Sequence, residues 1–487
     1  MDTQSFIRQL GNWAEGRGPL HTRLGRALQR AIAQGLLPPG LRLPAERNLA
    51  QALALSRTTV LTAYGNLKAD GWLESRPGSG TYVCTESAVR AREVTQELML
   101  AGSSTLNLLQ IDDSVIDFAA GTTKPLAELP RELYEIAPGT LNSLLSERHY
   151  LPLGLPTLRQ AIATYYSERE LATTPDQILV TNGAQQAIAI ATALYVQRGD
   201  SVLVESPTYF GGLDVFRFTG ARLAPLAVGP EHVAPGEARD KLVATGSRMI
   251  YLTPTYHNPT GVVMPEYARQ SLAKVADDFG VPLLEDHCMS ELAISGERPP
   301  RWIACYAAPG STVFTVGSLS KLFWGGLRVG WLRAPAAAIT KLARVKTASD
   351  LGSSPLTQAI AAQLLSAMKQ AKELRRAQLQ TRRDLLASLL REKLPAWEFQ
   401  VPKGGLFLWV RLPGSDARQF AHLAARHGVA ITPGPLFSAD DSCIEYLRIP
   451  FLLPDELIRE GVERLASAWR DFVGSPGIRG ARVLTIV

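Results

Sequence analysis

A chain of 487 residues, 46% hydrophobic and 20% charged, is too long for one small core and too ordinary in composition for a fibrous, disordered or disulfide-rich protein. No apolar run approaches the roughly 20 residues that a bilayer demands, and the opening Met1-Asp2-Thr3-Gln4 lacks the basic-then-apolar build of a signal peptide, so a cytoplasmic protein without membrane contact is expected. The net charge of +6 is unevenly placed: residues 1–83 carry 10 Lys and Arg against 5 Asp and Glu, the remainder 41 against 40, which directs a polyanionic partner to the first sixth of the chain.

From His21 the apolar residues Leu24, Ala27, Leu28, Ala31 and Ile32 recur at helical spacing and Gly35 follows, predicting a helix that ends near Gln34. Pro38-Pro39-Gly40 forces a turn. Leu43-Pro44-Ala45-Glu46-Arg47 then leads into a second helix reaching about Leu53, with Pro44 at an early helical position. Ser56 can cap a third helix, Arg57 to Ala69, which stops before Gly71. Two short helices joined by a tight turn form a helix-turn-helix, in which the start of the second helix meets base edges and phosphates. The apolar stretches Gly71-Trp72-Leu73-Glu74 and Gly80-Thr81-Tyr82-Val83 flank Arg76-Pro-Gly-Ser-Gly80, which predicts a β-hairpin wing with a basic, glycine-rich tip.

This order of elements, carried by LPAERNLAQALALSRTTVLTAYGNLKADGWLESRPGSGTYV, resembles the winged helix of GntR-family transcription regulators over about residues 18–84. The resemblance implies double-stranded DNA as partner. It implies that Arg47 and Arg57 grip phosphate or guanine, that Ser56, Thr58 and Thr59 touch the DNA backbone, and that Gly78, Ser79 and Gly80 bring the wing to the minor groove. Family regulators often place a further basic residue where this chain has Leu61. The alternative for the two arginines is surface salt bridging, for instance Arg47 with Glu46.

Residues 85–115 read as a linker: Glu86 to Ala101 is compatible with a charged, weakly amphipathic helix, and Gly102-Ser-Ser-Thr105 is flexible by composition. From 116 to 335, apolar runs alternate with helical patterns in the βαβα manner of a mostly parallel sheet covered by helices. The clearest strands are Gln177–Val180, Ser201–Glu205, Met249–Thr253, Val281–Glu285 and Thr312–Val316. Lys321 falls just past the last of these, where α/β proteins build their sites, with Ser318 and Ser320 before it and Arg328 seven residues after it. An amine there can form a Schiff base with an aldehyde while the hydroxyls and guanidinium hold a phosphate. A surface lysine in a Ser/Gly-rich loop is the plainer alternative.

Gly317-Ser-Leu-Ser-Lys-Leu-Phe-Trp-Gly-Gly-Leu-Arg-Val-Gly330 resembles the lysine segment of fold-type I aminotransferases, whose cofactor is pyridoxal 5'-phosphate. The resemblance extends through Thr181-Asn-Gly-Ala-Gln-Gln-Ala, where Gly183, Ala184 and Gln185 open a helix toward the phosphate. It includes Ser206-Pro-Thr-Tyr209, offering the Tyr209 ring to the pyridine face, and Tyr256-His-Asn-Pro-Thr-Gly261, whose Asn258 amide would reach the ring oxygen. Asp286 would pair with the pyridine nitrogen. One departure stands out: the family places a tyrosine two or three residues after this aspartate, where this chain has Cys288 and Met289.

Residues 336–475 read as a smaller C-terminal α/β part, with helical patterns over Pro355–Leu394 and Asp416–His427 and strands within Phe399–Leu412 and Glu445–Phe451. The resemblance makes Arg448 the reader of an amino-acid carboxylate, an ion pair with Glu445 being the structural alternative. It also places Gly121 and Tyr150 near the cofactor, Tyr150 from a neighbouring subunit. Four scattered cysteines give neither zinc nor disulfide spacing, no metal is expected, and the tail 476–487 carries no signal. The expected fold is therefore multidomain: a winged helix over 1–84, a linker over 85–115, and an α/β aminotransferase-like domain over 116–475. That combination resembles the MocR-like subfamily of GntR regulators. The likeness implies a regulator that senses an amine, an amino acid or a B6 vitamer through its cofactor, acting as a head-to-tail homodimer. The alternatives are a working aminotransferase, and a regulator whose second domain has lost the cofactor.

Overall fold

The computed structural model describes residues 3–10, 13, 19–33, 36–38, 40–53, 55–69, 72–76, 79–84, 115–146, 150–229, 232–440 and 442–474. The chain divides into two compact units, Met1–Ser103 and Ser104–Val487. The helix expected over 86–101, the Gly102–Thr105 stretch, Gly78 and the tail lie outside the described residues.

In the first unit, α1 (Thr3–Leu10) and α2 (Leu20–Ala33) precede the helix-turn-helix formed by α3 (Glu46–Ala52) and α4 (Arg57–Ala69). Strands β1 (Leu73–Arg76) and β2 (Gly80–Val83) pair antiparallel as the wing. On α4, Val60, Ala63, Tyr64 and Leu67 recur at the spacing of one helix face and bury against Leu24, Leu28, Leu49 and Trp72. That burial leaves Arg57, Thr58, Leu61 and Thr62 on the exposed face. Ser56 caps the helix as expected, its Oγ accepting from the Thr59 amide at 3.1 Å. Pro44 differs from expectation. It precedes the helix, whose N-cap is Ala45 at φ −57° and ψ 144°, and its carbonyl accepts from the Tyr64 hydroxyl at 3.1 Å.

The second unit opens with β3 (Ile116–Phe118), followed by α5 (Pro138–Ser146) and α6 (Pro156–Ser167). The alternation then runs β4 (Ile178–Thr181), α7 (Ala184–Tyr195), β5 (Ser201–Ser206), α8 (Phe210–Thr219), β6 (Arg222–Ala227), α9 (Pro235–Thr245), β7 (Met249–Leu252), α10 (Glu266–Phe279), β8 (Leu283–Asp286), β9 (Val313–Ser318) and β10 (Gly330–Arg333). These strands form one sheet in the order β4-β10-β9-β8-β7-β5-β6, parallel except for β10, which runs antiparallel to both neighbours. Strands β5, β7 and β8 are buried at every residue, which explains their continuous apolar character.

The chain continues through α11 (Ala336–Asp350), α12 (Pro355–Ser366), α13 (Met368–Lys393), β11 (Glu398–Phe399), β12 (Phe407–Arg411), α14 (Ala417–Arg426), β13 (Val429–Pro433), β14 (Tyr446–Pro450) and α15 (Asp455–Gly474). A second sheet has the order β11-β12-β14-β13-β3. This corrects the expectation that everything from 116 to 335 belongs to the larger sheet. Strand β3 instead pairs in parallel with β13, Ile116 opposite Val429 and Phe118 opposite Ile431. Its buried-open-buried pattern seats Ile116 and Phe118 against α15, a long-range contact invisible in a three-residue strand.

Gly461 of α15 is where this seating is tightest, since a Cβ there would overlap the Phe118 ring. Gly461→Ala is expected to destabilise the second unit by about 1–3 kcal/mol through overpacking, read as a lower urea midpoint with an unchanged slope.

Candidate functional site

Lys321 lies within electrostatic reach of Asp286 at the end of β8 and Cys288 just after it, of Arg328 before β10 and of Arg448 on β14. β9 delivers the lysine loop, and Thr123 holds it: the Thr123 hydroxyl donates to the Ser320 carbonyl at 2.7 Å. Arg375 of α13, only 3% exposed, donates to the carbonyls of Leu322 (3.0 Å), Phe323 (3.0 Å) and Lys124 (2.9 Å), clamping the lysine loop to the segment after β3. The amine of Lys321 donates to the Gly121 carbonyl at 2.6 Å. Burial pulls its pKa down to about 8, because a charged ammonium has little water there; Cys288 and Asp286 pull it back up, Arg448 and Arg328 down.

Asp286, at the end of β8, is buried and accepts from the Tyr251 hydroxyl at 3.1 Å and from the Cys288 amide at 2.9 Å. Burial first, then the Asp286 carboxylate, push both the Tyr251 phenol and the Cys288 thiol well above their ordinary ranges, so each remains protonated at neutral pH. Asn258, between β7 and α10, presents Oδ1 to the Arg448 guanidinium at 3.2 Å.

Arg448 of β14 is 2% exposed and lies over the rings of Phe407, Phe437 and Phe210, at 4.0, 4.7 and 5.4 Å from their centroids. Its other acceptor is the Ala119 carbonyl at 2.6 Å, and its buried Nε has no partner. Burial lowers the guanidinium to about 9. The alternative of an ion pair with Glu445 is excluded, since that carboxylate takes Arg411 at 2.8 Å.

Gly183 caps α7 with φ +89°, and the first-turn amides that follow it have no intrahelical acceptor. The Arg328 guanidinium lies against this turn, donating to the Asn182 carbonyl at 2.7 Å; a Cβ on Gly183 would come within 2.7 Å of it. Gly330 allows the crossing, because a Cβ there would meet the Gly183 backbone at 2.7 Å. Asp350 of α11 anchors the turn from behind, accepting from the side-chain amides of Asn182 (2.8 Å) and Gln186 (2.7 Å) and from buried Lys346 (2.8 Å). Ser318 and Ser320 share a hydroxyl contact at 2.5 Å, and the Tyr209 hydroxyl donates to Gln185 at 3.0 Å.

The fold thus gathers Lys321, Asp286, Asn258, Arg448 and Gly121 into one linked set, with Gly183, Ala184, Gln185, Tyr209, Ser318, Ser320 and Arg328 about the α7 start and the lysine loop. Tyr150 stands apart, 76% exposed. Tyr251, Thr123, Arg375 and Asp350 carry no motif and were missed from sequence; only their contacts single them out. In the first unit, Arg47, Arg57 and Thr58 are exposed with no carboxylate partner among the described residues, which disfavours the Arg47–Glu46 pair. Ser56 and Thr59 are bonded to each other at 2.7 Å, and Ser79 meets the Tyr82 hydroxyl at 2.5 Å. No helix among the described residues is long and apolar enough to cross a membrane.

The donor set suits pyridoxal phosphate: an amine near neutrality, a buried carboxylate with two donors, a helix start beside an arginine, and an orphaned guanidinium Nε. Residues 115–465 match the family model for aminotransferase class I and II, and residues 20–83 that for bacterial regulatory proteins of the gntR family. The chain is 28% identical to the HTH-type transcriptional regulator YdfD of Bacillus subtilis over 474 residues, 92% of this chain and 95% of the relative. It is 29% identical to the probable rhizopine catabolism regulatory protein MocR of Rhizobium meliloti, covering 78% of each. Among solved structures, LysN, the alpha-aminoadipate aminotransferase of Thermus thermophilus, complexed with N-(5'-phosphopyridoxyl)-L-leucine, matches with a TM-score of 0.69 at 28% identity, over 77% of this chain and 97% of that one.

A lysine whose folded-state pKa is depressed binds its proton more tightly when unfolded. The cost of burying the ammonium is therefore present in full below about pH 8 and falls away as pH rises toward 10.5. Lys321→Met is expected to stabilise the cofactor-free protein by about 1–2 kcal/mol at pH 7, a gain that shrinks above pH 8, measured by urea melts across that range.

Proposed function

Since the chain belongs to the MocR-like GntR regulators and, through residues 115–465, to the class I and II aminotransferases, we propose that it is a DNA-binding regulator whose second unit senses an amine, an amino acid or a B6 vitamer through bound pyridoxal phosphate. One observation carries the reading. A unit with an exposed arginine face is joined to a unit in which the half-buried Lys321 amine and the buried Arg448 guanidinium lie within electrostatic reach of each other and donate only to neutral oxygens.

When bound, pyridoxal phosphate supplies an aldehyde that exchanges amine partners and a ring that accepts electrons. Lys321 Nζ would be the amine that holds it. The amides of Ala184 and Gln185, with the hydroxyls of Ser318 and Ser320 and the Arg328 guanidinium, would bind its phosphate. Asp286, oriented by Tyr251 and by the Cys288 amide, would sustain the charge on its ring nitrogen, the Asn258 amide would donate to its ring oxygen, and Tyr209 would offer a ring to stack on it. Arg448 takes the effector's carboxylate, exchanging the Ala119 carbonyl and Asn258 Oδ1 for a charged fork and so relieving part of its burial cost.

An effector alters DNA affinity only by binding one arrangement of the protein better than another. The exposed Tyr150 would serve the site of a second copy in a head-to-tail homodimer. Turnover as an aminotransferase is the second reading, favoured by the nearly complete Lys321, Asp286 and Arg448 set. Against it stand Cys288 and Met289 at the positions where the family has a phenol, which would leave one fewer donor beside the ring.

Lys321→Ala is expected to abolish the protein's visible absorbance with added cofactor and to erase any effect of amino acids on retention of its own upstream DNA, while retention itself persists. An unchanged visible band would overturn the assignment, and many turnovers of amino acid with keto acid by the native protein would favour the second reading. Tyr251→Phe removes a hydrogen bond to a charged group, worth about 1.5–3 kcal/mol. Cofactor affinity is expected to fall roughly tenfold or more with a shifted visible maximum, measured by titration in the spectrophotometer.

A further inference from the structure

The two-stranded wing is bridged by the segment that precedes the helix-turn-helix. Leu43 and Val83 donate to the carbonyls of Thr81 and Leu41, and Gly40 donates to Val83, each at 2.9 Å, so residues 40–43 line up beside β2. Arg42 pairs directly with Tyr82, and Tyr82 on its other side with Glu74. Residues opposed across strands share a face, as do residues two apart along one strand. Arg42, Tyr82, Glu74, Gly80 and Arg76 therefore occupy one face of the wing. The other face, formed by Leu43, Leu73, Thr81 and Val83, is buried in the unit's core.

The two arginines on the open face are not equivalent. Arg76 is neutralised: its Nε and Nη2 donate to Glu74 Oε1 at 2.9 and 2.7 Å, and its guanidinium stacks over the Tyr82 ring at 4.4 Å. Arg42 is exposed and has no hydrogen-bond or carboxylate partner among the described residues. It lies flat beside Gly80, at φ +117°, where a Cβ would stand 3.2 Å from its Nε. The basic tip read from Arg76 in sequence is thus internally compensated, and the free positive charge on this face comes from the bridging segment that precedes the helix-turn-helix.

We propose that Arg42 is a DNA-contacting residue that binds a backbone phosphate from the open face of the wing. Its guanidinium projects from the bridging segment beside Gly80 and not from the hairpin tip, so it reaches the sugar-phosphate rail and carries affinity without sequence preference. Glu74, on the same face, opposes that contact.

The test uses the full-length protein, titrated with two duplexes, a short mixed-sequence one and one from upstream of its own gene, over a range of salt. Arg42→Gln is expected to weaken both duplexes alike and to reduce the log-affinity against log-salt slope by about 1. Arg42→Lys should restore the slope. Glu74→Gln, which disturbs no core packing, reads the same face independently, and tighter binding of both duplexes at low salt is expected. An unchanged slope in Arg42→Gln overturns the proposal, as does a loss confined to the upstream duplex, or unchanged binding in Glu74→Gln.

Discussion

A half-buried lysine and a buried arginine, neither hydrogen-bonded to a carboxylate, stand at the centre of the second unit's site. Lys321 and Arg448 are kept by the carbonyls of Gly121 and Ala119 and by the amide oxygen of Asn258. Neutral acceptors repay only part of the desolvation, and the lowered pKa of each group expresses the remainder. One kind of ligand would cancel both costs: an anionic cofactor whose aldehyde takes an amine, with a carboxylate-bearing partner alongside. Much around them serves to hold them in place. Arg375 fixes the lysine loop to the segment leaving β3, and β3 belongs to the second sheet, so the Gly121 carbonyl and Arg448 arrive together from one body while Lys321 and Asp286 arrive from the other.

The presence of Cys288 and Met289 where the family has a phenol bears on what this site does. Asp286 keeps two donors, Tyr251 and the Cys288 amide, so the carboxylate remains oriented; with the proposed cofactor bound, the deficit would fall on the ring-oxygen side, left to Asn258. Such a site retains the means to bind and to discriminate while losing one of the groups that would tune proton movement near the ring. That balance agrees with regulation more readily than with fast turnover. In the first unit the recognition face of α4 carries Arg57 and Thr58 beside an exposed Leu61, a mixture of charge and apolar surface suited to a base edge such as a thymine methyl as well as to phosphate.

Much of this was legible because it is local. Helix spacing in residues 21–34, the Ser56 cap, the glycine turn at 183, and the strand-then-lysine order ending at Lys321 depend on residues within a turn or two of one another. The misplaced pieces were those whose partners lie far along the chain. Pro44 was read as helical because its carbonyl's partner, Tyr64, is 20 residues away. Ile116–Phe118, at the start of the range expected to form the larger part, has no local mark of the second sheet because its partner strand starts at Val429.

The sequence by itself determined that a basic winged helix precedes an α/β body, and it singled out the lysine, aspartate, asparagine and arginine of the site, because each sits in a short pattern with chemical meaning. Tertiary structure alone decided that Tyr251 orients Asp286, that Arg375 clamps the lysine loop, that Glu445 is spent on Arg411 so that Arg448 is free of it, and that the wing's uncompensated charge belongs to Arg42. The reason is physical: identity and spacing fix local geometry, whereas which charges are cancelled and which remain is a property of contacts closed only when distant strands pair.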